Sequence, residues 1–354
     1  MYRILTINPG STSTKIGVYD EEEPVFIKTL YHDADDLKPF QRIADQYAFR
    51  RDVVLNALAE ANIPLNTLHA VVGRGGILPP IQSGTYRVNQ KMIDYLHAPG
   101  EREHASNLGA LIAHEIASRV GIPAFIVDPV SVDEFDDIAR ISGLPEVERR
   151  SLSHALNLKA AARRAAKELG RPYQEINLVV AHLGGGISVS PHRKGRMVDV
   201  NQALDGTGPF SPERAGGLPI GDLMRMCYSG KYTYEQMFRK CVGQGGLVAH
   251  LGTNDAREVE KRIAAGDDHA RLVYEAMAYQ IAKEIGAMAT VLKGEVDAIV
   301  LTGGLAFSQM LTGWISERVK WIAPVLVFPG EDELLAMAQG ALRVLHGEET
   351  VREY

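Results

Sequence analysis

Two short stretches of the chain carry the residue types best suited to holding phosphate. Residues 8–15 read Asn-Pro-Gly-Ser-Thr-Ser-Thr-Lys, and residues 182–186 read His-Leu-Gly-Gly-Gly. A tight turn without side-chain bulk lets backbone N–H groups converge on phosphate oxygens. In the first turn Gly10 supplies that freedom, Ser11, Thr12 and Ser13 add hydroxyl donors, and Lys15 adds a nearby cation. In the second, Gly184, Gly185 and Gly186 permit close backbone approach. Asn8 and His182 stand at corresponding strand ends. Either turn alone also suits an ordinary tight hairpin, but two at matching positions of a repeat favour phosphate binding. The chain has no GxxxxGK[ST] motif, and no GxGxxG opens a helix after its first strand. A P-loop NTPase and a dinucleotide Rossmann site are therefore disfavoured.

The elements around the turns form an internal repeat. Residues 4–20 and 178–200 each read as apolar strand, polar residue, glycine and hydroxyl turn, then a second strand with period-two alternation. This is strand–turn–strand, not strand–turn–helix. Two such hairpins suggest two related domains facing each other across a cleft. Further strands are expected at 70–72, 124–127, 298–302 and 325–328, and helices at 107–120, 153–169, 269–292 and 333–345. Gly121 and Gly170 stand where left-handed helix caps are expected. A third glycine turn, Thr302-Gly303-Gly304-Leu305, leads from a strand towards a helix. The alternation predicts α/β architecture, and 354 residues favour two domains. We expect one domain at 1–130 with 334–354, and the other at 131–333.

Composition narrows the partners. The net charge of −6 gives no reason to expect nucleic acid or an anionic membrane. Two cysteines, Cys227 and Cys241, fit a cytosolic chain without a disulfide framework or a zinc site. The N-terminus has no basic region followed by a long apolar stretch, and no apolar run reaches membrane-spanning length. The expectation is a soluble, cytoplasmic protein.

The segments 8–15 and 182–186 resemble the two phosphate motifs of the acetate and butyrate kinases, within the actin, sugar kinase and heat-shock chaperone ATPase superfamily. The resemblance covers nearly the whole chain in the same order. It is closest to the butyrate kinase branch, through the opening at 8–15, Ser151-Leu152-Ser153-His154-Ala155-Leu156-Asn157, and Gly330-Glu331-Asp332-Glu333. It implies duplicated actin-like (ribonuclease H-like) domains with hinges near 128–131 and 330–333. It implies reversible transfer of phosphoryl between ATP and butyrate or a similar short or branched acid, giving ADP and acyl phosphate, with Mg²⁺. A homodimer or larger homo-oligomer, associating through the second domain, is also implied. Such an acceptor is ionised at neutral pH, since its unperturbed pKa is roughly 4 to 5, so it needs no general base. The protein must bring two anions together and stabilise charge on the transferring group. That calls for arginines, a histidine donor and a metal, and not for a Ser/His/Asp triad.

The resemblance places these roles residue by residue. Arg74, in Val-Val-Gly-Arg-Gly-Gly after a strand, matches the arginine that holds carboxylate or phosphoryl oxygens; a surface arginine in a glycine loop is the alternative. Arg214 corresponds to a second transition-state arginine. His154 matches the histidine that hydrogen-bonds the transferring phosphoryl; His182 adds a phosphate contact, and His104 matches a third histidine. Asp128, Glu333 and Asn8 correspond to the metal site, with Asp332 as the alternative to Glu333. Asp255 and Arg257 border the adenine, although Ala256 replaces the family's aromatic residue between them. Gly303 and Gly304 match the adenosine loop. Gly76 and Ser153 stand where acetate kinases carry bulky Val and Phe, which opens room for a longer acid, and Pro212 remains a pocket wall. Each methylene buried contributes about 0.8 kcal/mol, so two extra carbons favour butyrate over acetate by roughly tenfold or more. Two rivals remain: a superfamily kinase acting on another acceptor such as acetate, propionate or a sugar hydroxyl, with Asp128 as base in the hydroxyl case, and a non-kinase ATP-driven clamp.

Overall fold

The turn at Gly10–Thr12 joins β1 (Arg3–Pro9) to β2 (Ser13–Asp20), paired antiparallel with Asn8 opposite Lys15. In the computed structural model, which describes residues 1–98, 100, 103–204 and 206–354, this hairpin opens the first of two units. Unit 1 comprises Met1–Val132 and Asp332–Tyr354, and unit 2 comprises Asp133–Glu331. The sheet of unit 1 continues with β3 (Glu23–Tyr31), β4 (Ala70–Arg74), β5 (Thr85–Arg87) and β6 (Ala124–Val127). Its order is Arg352–Glu353, β5, β6, β4, β1, β2, β3, with β4 parallel to both β1 and β6. Central parallel strands are covered on both faces, which is why β4 and β6 read as unbroken buried runs.

Alternation along β1 decides what covers each face. Leu5 and Ile7 point into a core shared with the helices Tyr47–Glu60 and Asn107–Ser118. Thr6 and Asn8 point the other way, towards the helix Glu333–Leu345, which returns to unit 1 from the end of the chain. One approach is unusually close. A Cβ added at Gly73 would lie 2.1 Å from the carbonyl oxygen of Gly109, and one at Gly109 would lie 2.5 Å from that of Arg74. The helix Asn107–Ser118 thus packs backbone against backbone on β4, which fixes the strand end where Arg74 emerges.

Unit 2 repeats the arrangement. Its hairpin is β7 (Asn177–Leu183) and β8 (Ile187–Arg193), antiparallel with Leu183 opposite Ile187. With β9 (Arg196–Met197), β10 (Ala298–Gly303) and β11 (Val325–Pro329) it forms a sheet of order β11, β10, β7, β8, β9. The first strand of each hairpin pairs antiparallel with its successor and parallel with a strand from later in the chain: β4 beside β1, and β10 beside β7. The long helix Asp268–Val291 packs on the face carrying Val179, Ala181 and Leu183. The Ala-rich helix Ala155–Glu168 packs on the same strands, β7 and β10.

The four helices expected from sequence form at Asn107–Ser118, Ala155–Glu168, Asp268–Val291 and Glu333–Leu345. Gly121 and Gly170 adopt φ of 67° and 63°, the left-handed geometry that ends a helix. The expected strands also form, while β3 and the helix Tyr47–Glu60 add elements that the reading of the sequence did not name. Among the described residues no helix is long and apolar enough to cross a membrane.

Candidate active site

In unit 1 the phosphate-type turn is built so that its carbonyls face inward. The Gly10 N–H donates to Ser13 O at 2.7 Å. Arg50, on the helix Tyr47–Glu60, donates Nη1 to the carbonyls of Gly10 (2.6 Å) and Ser13 (3.1 Å), and Nη2 to that of Ser11 (2.8 Å). The His32 N–H donates to Thr12 O at 2.9 Å. Every carbonyl from Gly10 to Ser13 therefore has a partner within the fold. Arg50 is held in turn by Gln46 Oε1, which accepts from Nε at 3.1 Å and Nη2 at 2.8 Å. Burial pushes the Arg50 guanidinium down to about 10, which leaves it charged at neutral pH. The reading of the sequence missed Arg50. Its signal was a cation at helical spacing from Val54, Ala57 and Leu58, with which it shares the buried face of that helix.

Arg74, Asn8 and Glu333 come together at the end of this hairpin. The Asn8 Nδ2 donates to Glu333 Oε2 at 2.5 Å, and Arg74 Nη1 lies 3.0 Å from Glu333 Oε1. Arg74 is nearly buried, and its Nη1 makes no hydrogen bond, so the second contact is an ion pair without hydrogen-bond alignment. Asp332 accepts from Leu335 N–H at 2.9 Å and so caps the returning helix, which leaves Glu333 as the acid beside Asn8 and Arg74. Lys15 lies opposite Asn8 on β2 and is exposed. His104 keeps part of its surface in water, yet the surrounding protein and the charge of Arg74 lower its pKa.

Asp128 directly follows Val127, the β6 residue that pairs with Arg74. It is fully buried at the end of β6, in the left-handed region at φ 39°, and its Oδ1 accepts from Ser83 Oγ (2.6 Å) and Gly84 N–H (2.8 Å). Positive φ in a residue other than glycine is uncommon and is tolerated where surrounding bonds enforce it.

Gly76 corrects one expectation. The space that a side chain would fill is occupied by Asn107, because a Cβ there would lie 2.2 Å from Asn107 Oδ1 and 2.6 Å from its Cα. That amide oxygen accepts from Ile77 N–H at 2.8 Å. Gly76 admits Asn107 and does not open a pocket.

In unit 2 the second glycine turn is tied in the same manner. The Gly184 N–H donates to Gly186 O at 3.2 Å, and Ser211 Oγ donates to Gly185 O at 2.5 Å. Arg214 lies across Gly186, where a Cβ would be 2.1 Å from Nη1, and the guanidinium donates to Ala203 O. Burial lowers the pKa of Arg214, against the opposing effect of Glu213. Beside the turn two imidazoles stack: the rings of His154 and His182 are 3.9 Å apart and inclined by 15°. His154, just before the Ala-rich helix, meets Ser188 Oγ through Nδ1 at 2.8 Å. Asn157 Nδ2 lies 2.6 Å from Nδ1 of His182, while Nε2 of His182 is 3.7 Å from Glu331 Oε2. Ser153, buried next to His154, has an Oγ without a hydrogen-bond partner.

The remaining expected residues are placed less closely. Asp255 caps the helix Ala256–Ala264 and is bonded by Arg257 through Nε (3.0 Å) and Nη2 (2.8 Å), which holds its carboxyl down at about 2. Gly303 exchanges two backbone hydrogen bonds with Gly330, at 3.1 and 2.9 Å, and Gly304 begins a short 3₁₀ turn. Pro212 is buried and its carbonyl accepts from Val248 N–H at 3.0 Å. A cavity of about 290 Å³ in unit 2 is lined by Pro209, Ser211, Arg214 and apolar side chains including Leu218 and Leu223. Pro212 is not among its walls.

Comparison with known proteins places this architecture. Residues 147–312 match the model of the acetokinase family. The chain is 56% identical to butyrate kinase 1 of Clostridium acetobutylicum over 354 residues, covering all of both chains. Among solved structures, acetate kinase of Porphyromonas gingivalis is similar with a TM-score of 0.78 at 19% identity, covering 98% of this chain and 100% of that one. A propionate kinase of Francisella tularensis is similar with a TM-score of 0.73 at 19% identity, covering 96% and 99%. These two likenesses show the fold, a pair of actin-like domains.

The contact of His182 with Asn157 has a direct spectroscopic consequence. An amide nitrogen only donates, so Nδ1 of His182 accepts and its ring proton sits on Nε2. Long-range ¹H–¹⁵N correlation spectra of the free protein are expected to give His182 as the Nε2–H tautomer. A spectrum with the proton on Nδ1 contradicts the arrangement.

Proposed function

The chain belongs to the acetokinase family, and from that premise we propose that it is a butyrate kinase, transferring phosphoryl reversibly between ATP and butyrate or a similar short acid. The observation that carries the choice of acceptor is the state of Asp128. A hydroxyl acceptor calls for a carboxylate base, and Asp128, the acid named for that role, is buried and holds Ser83 and Gly84. A carboxylate acceptor needs no base. What it needs is cations and hydrogen-bond donors, and Arg74, Arg214, the two tied turns and the stacked histidines supply them.

The roles divide as follows. Arg74 orients the acceptor carboxylate and offsets the repulsion between two anions. The N–H and hydroxyl groups of Ser11 and Thr12 take oxygens of the phosphoryl group in transfer. In unit 2 the backbone of Gly184–Gly186 takes nucleotide phosphates, Arg214 adds charge beside that turn, and His154, steadied by Ser188, donates to the transferring group. The carboxylate attacks phosphorus in line, the bond from phosphorus to the bridging oxygen breaks, and ADP leaves with that oxygen. No covalent enzyme intermediate is needed. The loop at Gly303 and Gly304 and the pair Asp255 and Arg257 are assigned to the adenosine.

The donor set suits Mg²⁺. Glu333 and Asn8 offer adjacent oxygens, and among the described residues no group of three or more His, Cys, Asp or Glu side chains could by itself hold a metal. Mg²⁺ is bound through one or two carboxylates together with phosphates and water, so Glu333 and Asn8 would hold it. Such an ion would neutralise charge on the phosphates. With Gly76 filled by Asn107, the preference for a longer acid rests on Ser153 in unit 2 and on the full-length likeness to a butyrate kinase.

We also propose that the protein is a cytoplasmic homo-oligomer associating through unit 2. The helix Ile220–Cys227 buries none of its residues, and Ile220, Met224, Tyr228, Tyr234 and Phe238 are all exposed close together in sequence. Exposed apolar clusters of this kind mark association surfaces. Sedimentation is expected to give a dimer or larger species, and a monomer at micromolar concentration contradicts it.

The activity itself is tested by trapping the product. ATP, acid and hydroxylamine are expected to yield acyl hydroxamate, with kcat/KM for butyrate about tenfold or more above that for acetate. Arg74→Ala is expected to lower kcat by about 10²- to 10³-fold. No hydroxamate with any acid from acetate to hexanoate sinks the kinase reading, and equal kcat/KM for acetate and butyrate sinks the preference.

A further inference from the structure

Arg50 is a buried cation without an anion. It is 1% exposed, and its hydrogen bonds go to neutral groups: three carbonyls of the turn, the Gln46 amide and, at 3.4 Å, the Thr14 hydroxyl. Among the described residues no carboxylate pairs with it. Burying an unpaired charge is costly, and buried charges are ordinarily paired. A guanidinium kept in this state has a use for the charge, for its donor geometry, or for both.

The geometry of the peptide gives that use. In a trans peptide the C=O of one residue and the N–H of the next point in opposite directions. With the carbonyls of Gly10 and Ser11 drawn onto Arg50, the N–H groups of Ser11 and Thr12 are turned away from it. Neither N–H donates to another group among the described residues. Both residues are exposed. The turn therefore presents two parallel donors on one side and a fixed positive charge on the other, the arrangement that favours a phosphoryl dianion.

We propose that Arg50 is a positioning residue of the kinase: by gathering the carbonyls of Gly10, Ser11 and Ser13 it aims the N–H groups of Ser11 and Thr12 at the phosphoryl group and stands behind them as an uncompensated cation. The inference rests on the butyrate kinase reading and adds to it a residue from outside both phosphate motifs. Lysine cannot substitute. An ammonium keeps the charge but lacks the planar fork that reaches Gly10, Ser11 and Ser13 while Gln46 holds the other edge. His32 completes the frame, since its ring Nε2 meets Thr14 Oγ1 at 2.9 Å and its backbone N–H holds Thr12 O.

The test compares the full-length wild type with Arg50→Lys, Arg50→Gln and Gln46→Met, each assayed well below its melting midpoint. Steady-state hydroxamate assays are combined with calorimetric titration by ATP and by ADP. In both Arg50 variants kcat is expected to fall by about 10²-fold, with KM for butyrate within about twofold. ADP, which lacks the transferred group, is expected to bind within about threefold of wild type, while the ratio of ATP to ADP affinity falls by about tenfold, the effect of one charge-assisted donor pair. Gln46→Met is expected to move both quantities in the same direction by a smaller factor. Folded Arg50 variants with kcat near the wild-type value overturn the proposal. So does an equal loss of ATP, ADP and butyrate binding, which is the signature of a merely structural arginine. If neither Arg50 variant folds, Gln46→Met decides: an unchanged kcat and an unchanged affinity ratio overturn the proposal. A wild type that makes no hydroxamate refutes the kinase reading itself, which separates the two failures.

Discussion

Two anions have to meet in a protein whose own net charge is −6. Unit charges 4 Å apart repel by about 4 kcal/mol at the effective dielectric near a protein surface. Long-range attraction from the chain as a whole cannot offset this, so the compensation has to be local. It comes from peptide N–H groups and from cations sunk into the fold behind them. A peptide N–H is aimed more firmly at a ligand when the carbonyl of the same peptide is engaged within the fold. In unit 1 that engagement comes from Arg50 and His32, and in unit 2 from Ser211 and from the turn itself. In each unit an arginine lies against the turn: Arg50, buried, under Gly10–Ser13 and Arg214, half-buried, across Gly186.

The duplicated sheet supports this economy of donors. The first strand of each hairpin is held between an antiparallel and a parallel neighbour, so the turn at its end is fixed on both sides. Close backbone packing of Gly109 on β4 fixes Arg74 at the neighbouring strand end. The returning helix then brings Glu333 to Asn8 and Arg74, so one carboxylate joins residues far apart in sequence. The cap by Asp332 sets where that helix begins and hence where Glu333 points.

The sequence disclosed what is local. The period-two strands around Asn8 and His182, the helices ending at Gly121 and Gly170, and the repeat itself were all legible, because each depends on residues a few positions apart. The structure also put Arg74 with Asn8 and Glu333, and His154 against His182. The stack of two imidazoles could not be read from spacing, since the rings come from the start of a helix and the end of a strand and meet only when the sheet forms. Arg50 belongs to no motif, and its one sign was a charge on an apolar helix face. Gly76 misled for the opposite reason: a missing side chain suggests room, but Asn107 fills it, and only packing reveals that. Asp128 resembled a metal ligand or base by position alone, and its bonds to Ser83 and Gly84 became apparent only with the loop in place.

The proposed reaction uses no base and no nucleophile of the protein, so in it the chemistry is a single displacement, in which the acid attacks phosphorus directly. His154 and His182 are donors in this scheme and do not carry phosphate. The stereochemistry at phosphorus reports this most directly. With ATP made chiral at the γ-phosphorus by oxygen isotopes, transfer to butyrate is predicted to invert the configuration. Retention would require two displacements through a phosphorylated side chain, and would contradict direct attack by the acid.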